Sequence, residues 1–138
     1  MKTLTIGIPT RNRPEKLNSL LYNLYLIISN RDDIEVYIID NSDNYQTSKM
    51  ISDEIRYKEF KYFRNPQNKG LQYSVYRLID LSSCKYTWIL SDDEMVFEDE
   101  FINLLNVLNC NNPDIILFNK FEKGVISGEN YIHNHYYE

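Results

Sequence analysis

Residues 87–96 read TWILSDDEMV, an apolar run that ends abruptly in Asp92, Asp93 and Glu94. The run has the length and character of a buried β-strand, and a strand is predicted over 86–90. Three adjacent carboxylates repel one another, and holding them beside a buried strand costs stability unless a cation compensates. The stretch therefore predicts a strand whose end carries a site for a positive ion.

Outward from this stretch, apolar runs of strand length alternate with segments of helical periodicity. Further strands are predicted at 3–8, 34–39, 60–63 and 114–118, the first of them closing at Pro9. Helices are predicted at 14–30, 47–57, 71–81 and 98–108. The order βαβαβαβαβ predicts an α/β sandwich with a mainly parallel sheet, because parallel neighbours require crossover connections.

Three polar segments directly follow predicted strands, at 9–11, 40–42 and 91–94. Ligands in open α/β sheets bind beyond the carboxyl ends of the strands. We therefore expect the sheet to gather these segments along one edge, although they lie far apart in the sequence.

Composition limits the classes of partner. A chain of 138 residues has the length of one domain, and its formal net charge of −5 makes a nucleic acid an unfavourable partner. No apolar run is long enough to span a bilayer, and Pro9, Arg11 and Arg13 interrupt any signal-like segment. A cytoplasmic location is the expectation. Cys84 and Cys110 form no disulfide framework and are expected to be reduced.

The acidic cluster, defined as Asp92, Asp93 and Glu94, suits hard divalent ions such as Mn²⁺ or Mg²⁺. Such ions bind through one or two carboxylates together with substrate phosphates, which implies phosphate chemistry. The alternative is a solvated acidic loop or a helix amino terminus, and this alternative is favoured for residues 98–100. Asp40 could accept hydrogen bonds from a base or ribose, or could cap the turn that follows it.

Glycine-rich phosphate-binding loops are absent from the sequence. Neither GxGxxG nor GxxxxGK[ST] occurs. A nucleoside diphosphate would therefore be held mainly through a metal ion.

The segments TIGIPTRNRPEKL, VYIIDNSD and NKGLQYSVYRLIDLSSCKYTWILSDDEMV, in this order, resemble the family 2 glycosyltransferases. These are enzymes of the GT-A fold that use nucleotide-sugar donors, and the resemblance extends over about 3–118. It implies a donor-nucleotide site made of Pro9, Thr10, Arg13, Asp40, Ser42, Asn68, Lys69, Gly70, Arg77 and Asp92. It also implies that the acidic cluster, at the family's DxD position, binds the metal.

A narrower similarity, from Gly70 through Arg77 to the acidic cluster, is to bacterial members that build surface polysaccharides, including abequosyltransferase-like enzymes. Tyr73 and Ser74 depart from the polar pair expected there. The resemblance implies an inverting, metal-dependent transfer to the hydroxyl of a saccharide or a lipid-linked saccharide, at the inner face of the membrane.

The catalytic base is not identified by the sequence. Glu122 and Glu129 are the remaining nonterminal carboxylates past the fifth strand, and His133 or His135 could add a metal ligand. We expect one GT-A-like domain over 1–138, with the acceptor-binding part short or absent.

Three alternative functions remain. One is a donor-binding module without transfer activity, and another is a sugar nucleotidyltransferase, which the missing glycine-rich loop disfavours. The third is a receiver domain with Lys120 after its last strand, which the PTR sequence at the end of strand one disfavours.

Overall fold

The computed structural model describes residues 1–117, 121–122, 125–126 and 131–133, with side chains through residue 116. The strands are β1 (Leu4–Thr10), β2 (Ile34–Asp40), β3 (Lys61–Arg64), β4 (Tyr86–Ile89), β5 (Ile115–Leu117), β6 (Phe121–Glu122), β7 (Val125–Ile126) and β8 (Tyr131–His133). The helices are α1 (Pro14–Ile28), α2 (Gln46–Asp53), α3 (Leu71–Leu81) and α4 (Glu98–Asn111), with a 3₁₀ turn at Ile55–Tyr57.

The first four strands form one parallel sheet in the order β3-β2-β1-β4. Thr10 pairs with Asp40, and Asp40 pairs with Arg64, so β1, β2 and β3 end level with one another. This register places the polar segments after β1 and β2 at one edge of the sheet, and a hydrogen bond from Thr10 to Asp92 brings the segment after β4 to the same edge, as expected.

β1 continues past the proline at which the sequence predicts its end. The carbonyl of Thr10 accepts a hydrogen bond from the Asn41 amide on the β2 side, whereas the carbonyl of Gly7 accepts one from Leu90 on the β4 side. Because successive residues of a parallel strand bond to alternate sides, Pro9 faces the β4 side. β4 ends opposite Gly7, so the missing N–H of Pro9 leaves no ladder bond unmade.

Helices cover both faces of the four-stranded sheet. On one face Leu78 of α3 packs with Tyr37 and Ile39. On the other face α1 buries five leucine and isoleucine side chains at the predicted spacing of three and four, and Tyr25 and Ile28 of this helix line a cavity with Val36 of β2. The result is the α/β/α layering of the GT-A fold that the sequence predicts.

Element boundaries differ from the predicted ones by a few residues. The helix predicted at 47–57 ends at Asp53, and a separate 3₁₀ turn follows, because Glu54 adopts an extended conformation and accepts a hydrogen bond from the Arg56 amide. α3 has the predicted bounds, whereas α1 ends at Ile28 and α4 extends to Asn111.

The strand predicted at 114–118 does not extend the parallel sheet. It is β5, which pairs antiparallel with β8, and β6 pairs antiparallel with β7. Contacts divide the chain into two compact units, residues 1–98 and 99–138. Within the part of the chain that the structure describes, every helix is too short or too polar to cross a membrane.

Candidate functional site

A buried carboxylate joins the ends of β1 and β4. Asp92, two residues past the apolar run of β4, is only 4% exposed. The hydroxyl of Thr10, the last residue of β1, donates to Asp92 Oδ2 at 2.8 Å, and Arg13 Nη1 donates to Oδ1 at 3.2 Å. A buried carboxylate is tolerated where hydrogen bonds and a cation compensate its charge, and both are present here.

Asp93 presents the exposed carboxylate of the cluster. Its side chain is 42% exposed, and Oδ1 accepts a hydrogen bond from the Ser91 hydroxyl at 2.6 Å. That hydrogen bond, followed by a backbone hydrogen bond and the charges of Arg13 and Lys16, lowers the pKa of Asp93 below its ordinary value against the opposing effect of burial. Asp93 is therefore ionised at neutral pH, which is the form that binds a cation.

The cluster offers chemistry that fits a divalent ion completed by a phosphate. Among residues with described side chains, no three His, Cys, Asp or Glu groups are arranged to hold a metal by themselves. Mg²⁺ and Mn²⁺ need fewer than three protein ligands, since they bind through one or two carboxylates plus phosphate and water. Asp92 and Asp93 meet that requirement with hard oxygen donors. The predicted three-carboxylate ligand set that adds Glu94, which is half-buried, stays a prediction.

Asp40 is fully buried at the end of β2. The Ser42 amide donates to Asp40 Oδ1 at 2.7 Å, which confirms the alternative that Asp40 caps the following turn. The Tyr62 hydroxyl donates to Oδ2 at 2.6 Å. Burial, followed by the hydrogen bond to Asp40, raises the pKa of Tyr62, so the phenol keeps its proton. The predicted contact of Asp40 with a base stays a prediction.

The loops after β1 and β2 are bound to each other. The backbone amide of Asn12 donates to Ser42 Oγ at 2.8 Å, and the backbone amide of Asp43 donates to Asn12 Oδ1 at 2.9 Å. Asn12 has a φ of +54°, a left-handed conformation that asparagine tolerates better than most residues. Sequence reasoning missed Asn12, and this tolerance of asparagine was the signal that could have identified it.

The loop of Asn68, Lys69 and Gly70 leads into α3. Asn68 Oδ1 accepts a hydrogen bond from the Gly70 amide at 2.9 Å, and the side chain of Lys69 is exposed to solvent. Arg77 of α3 is half-buried, and its guanidinium donates to Asn65 Oδ1 at 2.5 Å. Arg77 therefore contacts a buried side-chain amide, and its predicted contact with the donor nucleotide stays a prediction.

Most of the sequence-predicted site residues form three contacting groups at the carboxyl edge of the sheet. Thr10, Arg13, Asp92 and Asp93 form the first group, and Asp40 with Ser42 forms the second. The third is the 68–70 loop, which contacts the end of β2 through Asn41. Pro9 is half-buried beside the first group.

The candidate site residues named from the sequence did not include the buried polar residues Asn41, Asn65 and Ser74. Their positions after β2, after β3 and in the first turn of α3 were the available signal. Of the more distant candidates, Glu129, His135 and Lys120 lie outside the described residues, and Glu122 and His133 are described by their backbones alone.

A family model described as glycosyl transferase family 2 matches residues 5–138. The abequosyltransferase RfbV of Salmonella typhimurium is 32% identical over 127 residues, which cover 88% of this chain and 37% of RfbV. The poly(ribitol-phosphate) β-N-acetylglucosaminyltransferase TarP of Staphylococcus aureus is 28% identical over 126 residues, covering 85% of this chain and 36% of TarP. This chain thus spans a little over a third of the length of these relatives.

Solved structures share the fold. TarS 1-349 of S. aureus in complex with UDP superposes with a TM-score of 0.76 at 16% identity, covering 94% of this chain and 38% of TarS 1-349. The mannosyltransferase PcManGT of Pyrobaculum calidifontis, in complex with GDP-Man and Mn²⁺, superposes with a TM-score of 0.67 at 17% identity, covering 76% of this chain and 32% of PcManGT. At these identities the likeness is one of fold.

Proposed function

The chain belongs to glycosyl transferase family 2, and from this premise we propose that it binds the donor in the transfer of a sugar from a nucleotide-sugar to an acceptor hydroxyl. We further propose that the reaction is metal-dependent and inverting and serves bacterial surface polysaccharide synthesis, with a saccharide or lipid-linked saccharide as acceptor. The names of RfbV and TarP, each a sugar transferase, support the reaction class.

The observation that carries the proposal is the hydrogen bond between Thr10, the last residue of β1, and Asp92, which follows β4. It holds one carboxylate rigidly at the sheet edge and leaves the neighbouring Asp93 exposed and ionised. A preorganised pair of this kind can bind a cation without reorganising when the ligand arrives. The Mn²⁺ of the PcManGT complex and the UDP of the TarS complex support a metal-bound nucleoside diphosphate as the ligand.

Each group at the edge has a proposed role in binding the donor. Asp92 and Asp93, with Glu94 beside them, would hold the divalent ion, which supplies charge stabilisation to the departing diphosphate. Arg13 lies 3.2 Å from Asp92 and limits the repulsion between the two aspartates. Pro9, Thr10, Asp40 and Ser42 shape the nucleoside side of the site, and Lys69 provides an exposed ammonium for a phosphate.

The displacement itself needs an acceptor hydroxyl aligned with the anomeric carbon. Attack in line with the departing diphosphate inverts that carbon, and a carboxylate base would remove the hydroxyl proton. The base remains unassigned, since the carboxylates predicted for this role fall outside the described side chains.

Calorimetric titration tests donor binding directly. UDP, GDP, CDP and dTDP would each be titrated into the chain with Mn²⁺ and then with EDTA. Binding of one of them that disappears in EDTA is the expected result, and it would also identify the nucleotide of the donor. Failure of all four to bind in Mn²⁺ would refute the proposed function for this chain.

A second candidate is a donor-binding module without transfer activity. Incubating the nucleotide-sugar with a panel of saccharide acceptors, and measuring released nucleoside diphosphate, separates the two. Release that depends on one acceptor supports the transferase, whereas tight donor binding without release over the panel supports the module. The receiver and nucleotidyltransferase alternatives are wrong for a member of this family.

A further inference from the structure

We propose that Asn41 is a positioning residue that holds the 68–70 loop in place so that Lys69 can bind the diphosphate of the donor. The inference rests on the proposed function, because it assigns a task within the same site. Asn41 itself is only 4% exposed, so it acts through the residues it contacts.

The side-chain amide of Asn41 makes four hydrogen bonds. Nδ2 donates to Ser74 Oγ at 2.6 Å and to the Gly70 carbonyl at 3.3 Å. Oδ1 accepts from Asn65 Nδ2 at 2.6 Å and from the Lys69 amide at 3.2 Å. An asparagine amide has two donor hydrogens and one oxygen that accepts two hydrogen bonds, so its capacity is fully used.

These four contacts join parts of the chain that are 24 to 33 residues from Asn41. They connect the end of β2 with the residue after β3, with the loop and with the first turn of α3. Asn65 is 1% exposed. Its backbone amide donates a hydrogen bond to the Asp40 carbonyl, and its side-chain oxygen accepts one from Arg77. We call this set, Asn41, Asn65, Ser74 and Arg77, the Asn41 network.

The Asn41 network fixes the backbone of Lys69 and leaves its side chain free to bind a ligand. The Lys69 amide is held by Asn41, while the Lys69 side chain is exposed. Lysine binds phosphate as a point charge, and its four-carbon stem has many conformers, so a fixed backbone limits the positions that the ammonium samples. Asn41 also lies between Asp40 and Ser42 in the sequence. The same short segment therefore sets both the nucleoside side and the phosphate side of the site.

The position of Gly70 supports a loop that is held rather than free. Its φ of +83° and ψ of 163° lie in a region that glycine alone adopts readily. The Gly70 carbonyl accepts from Asn41, and its amide donates to Asn68. Glycine adopts this conformation without strain, and the hydrogen bonds to the side chains of Asn41 and Asn68 hold the Gly70 backbone in place.

The test compares a ligand that carries the diphosphate with one that lacks it. UDP and uridine serve as the first probes, or the matching pair if another of the four nucleotides binds. In Asn41→Ala we expect the affinity for UDP to fall about tenfold while that for uridine changes less than about twofold. Lys69→Met, at an exposed side chain, should give the same pattern. The double variant should lose little more than either single variant, because both act on one contact.

Asn30→Ala is the matched control, since Asn30 is exposed and precedes β2 at the other end of the strands. It should bind both probes as the unchanged chain does. A second measurement needs no ligand: hydrogen exchange of the Lys69 amide should accelerate in Asn41→Ala while exchange within β1 stays slow.

Distinct results would overturn the inference. Equal losses for UDP and uridine in Asn41→Ala would show a merely structural role. Unchanged UDP binding in Lys69→Met would remove Lys69 from the site, even if Asn41→Ala fails to fold. An unchanged exchange rate of the Lys69 amide would contradict the positioning itself. If the unaltered chain binds none of the four nucleotides, the proposed function fails and this inference fails with it.

Discussion

At the scale of single residues, the buried carboxylate of Asp92 depends on the hydroxyl of Thr10. The two residues are 82 positions apart, and their hydrogen bond measures 2.8 Å. A buried charge that loses a donor bears the cost of its incomplete solvation. This bond therefore contributes to stability as well as to the geometry of the site.

Thr10→Val tests that bond while keeping the shape of the side chain. We expect the free energy of unfolding to fall by about 1–3 kcal/mol, because Asp92 stays buried with one donor fewer. Thr10→Ser keeps the hydroxyl and should lose much less. Chemical denaturation of the three proteins measures the difference, and equal stabilities of the valine and serine variants would contradict the argument.

Asp93→Asn tests the role of the acidic cluster in binding. It removes the exposed charge but keeps the size and the hydrogen-bonding oxygen, so the fold should stay intact. We expect the Mn²⁺-dependent affinity for the nucleoside diphosphate to fall at least about tenfold, as for the loss of a charge-assisted contact. Asp32→Asn, at an exposed position before β2, is the control. Equal affinities in both variants would remove the cluster from the mechanism.

Ser91→Ala tests the cause of the lowered pKa of Asp93. The Ser91 hydroxyl is the largest cause, so its loss should raise that pKa toward the ordinary value of 3.8. Because the folded pKa lies below the unfolded one, ionised Asp93 contributes stability above pH 3.8, and this contribution is lost as the pH falls through the folded pKa. An NMR titration of the carboxyl carbon measures the shift. A pKa that stays low in the variant would assign the effect to the backbone hydrogen bond and to the charges of Arg13 and Lys16.

At the scale of elements, the two described glycines of the sheet and loop have different reasons for being glycine. A Cβ at Gly7 of β1 would lie 3.1 Å from Leu78 Cδ2, so this glycine allows β1 and α3 to pack closely. Gly70 has open space around it, and its backbone conformation is what excludes a side chain. The first is a matter of packing and the second of backbone strain.

Gly70→Ala should therefore destabilise the start of α3 although nothing clashes with the new methyl group. We expect a loss of about 1–3 kcal/mol in the free energy of unfolding, the usual cost of a non-glycine residue in this region of backbone conformation. Denaturation measures it, and hydrogen exchange in residues 68–71 locates it. Unchanged stability with unchanged exchange would mean that the loop adopts another conformation in solution.

At the scale of the whole molecule, a bound donor would connect the ends of three strands that come from distant parts of the chain. β1, β2 and β4 are neighbours in the sheet, but their carboxyl ends at Thr10, Asp40 and Ile89 are spread over 80 residues of sequence. A ligand that binds only the folded edge stabilises the fold by mass action.

Whichever nucleoside diphosphate binds should therefore, together with Mn²⁺, raise the melting temperature of the protein by several degrees. At a concentration 100 times its Kd, a ligand adds about 2.7 kcal/mol to the free energy of unfolding. For a domain of this length, that addition raises the melting temperature by several degrees. Thermal unfolding with the nucleotide, with Mn²⁺ alone and with both measures it. A rise with Mn²⁺ alone that the nucleotide does not increase would assign the effect to the ion.

The sequence by itself determined the elements, their alternation and the polar character of the strand ends. These features follow from local periodicity and from short-range chemistry, such as the apolar run that stops at Asp92 or the leucine spacing of α1. Family membership also lies within reach of the sequence, because it rests on segments in a fixed order. Boundaries at Pro9 and Glu54 were misplaced, since they depend on which side of a strand has a neighbour and on how one turn is capped.

Only the tertiary structure decided which polar groups contact one another. The bond of Thr10 to Asp92, the burial of Asp40 and the four contacts of Asn41 join residues brought together by the strand order β3-β2-β1-β4. Strand order depends on the packing of whole helices against the sheet, which local sequence patterns do not encode. The same reason explains why β5 was predicted as a strand but not as one half of a separate antiparallel pair.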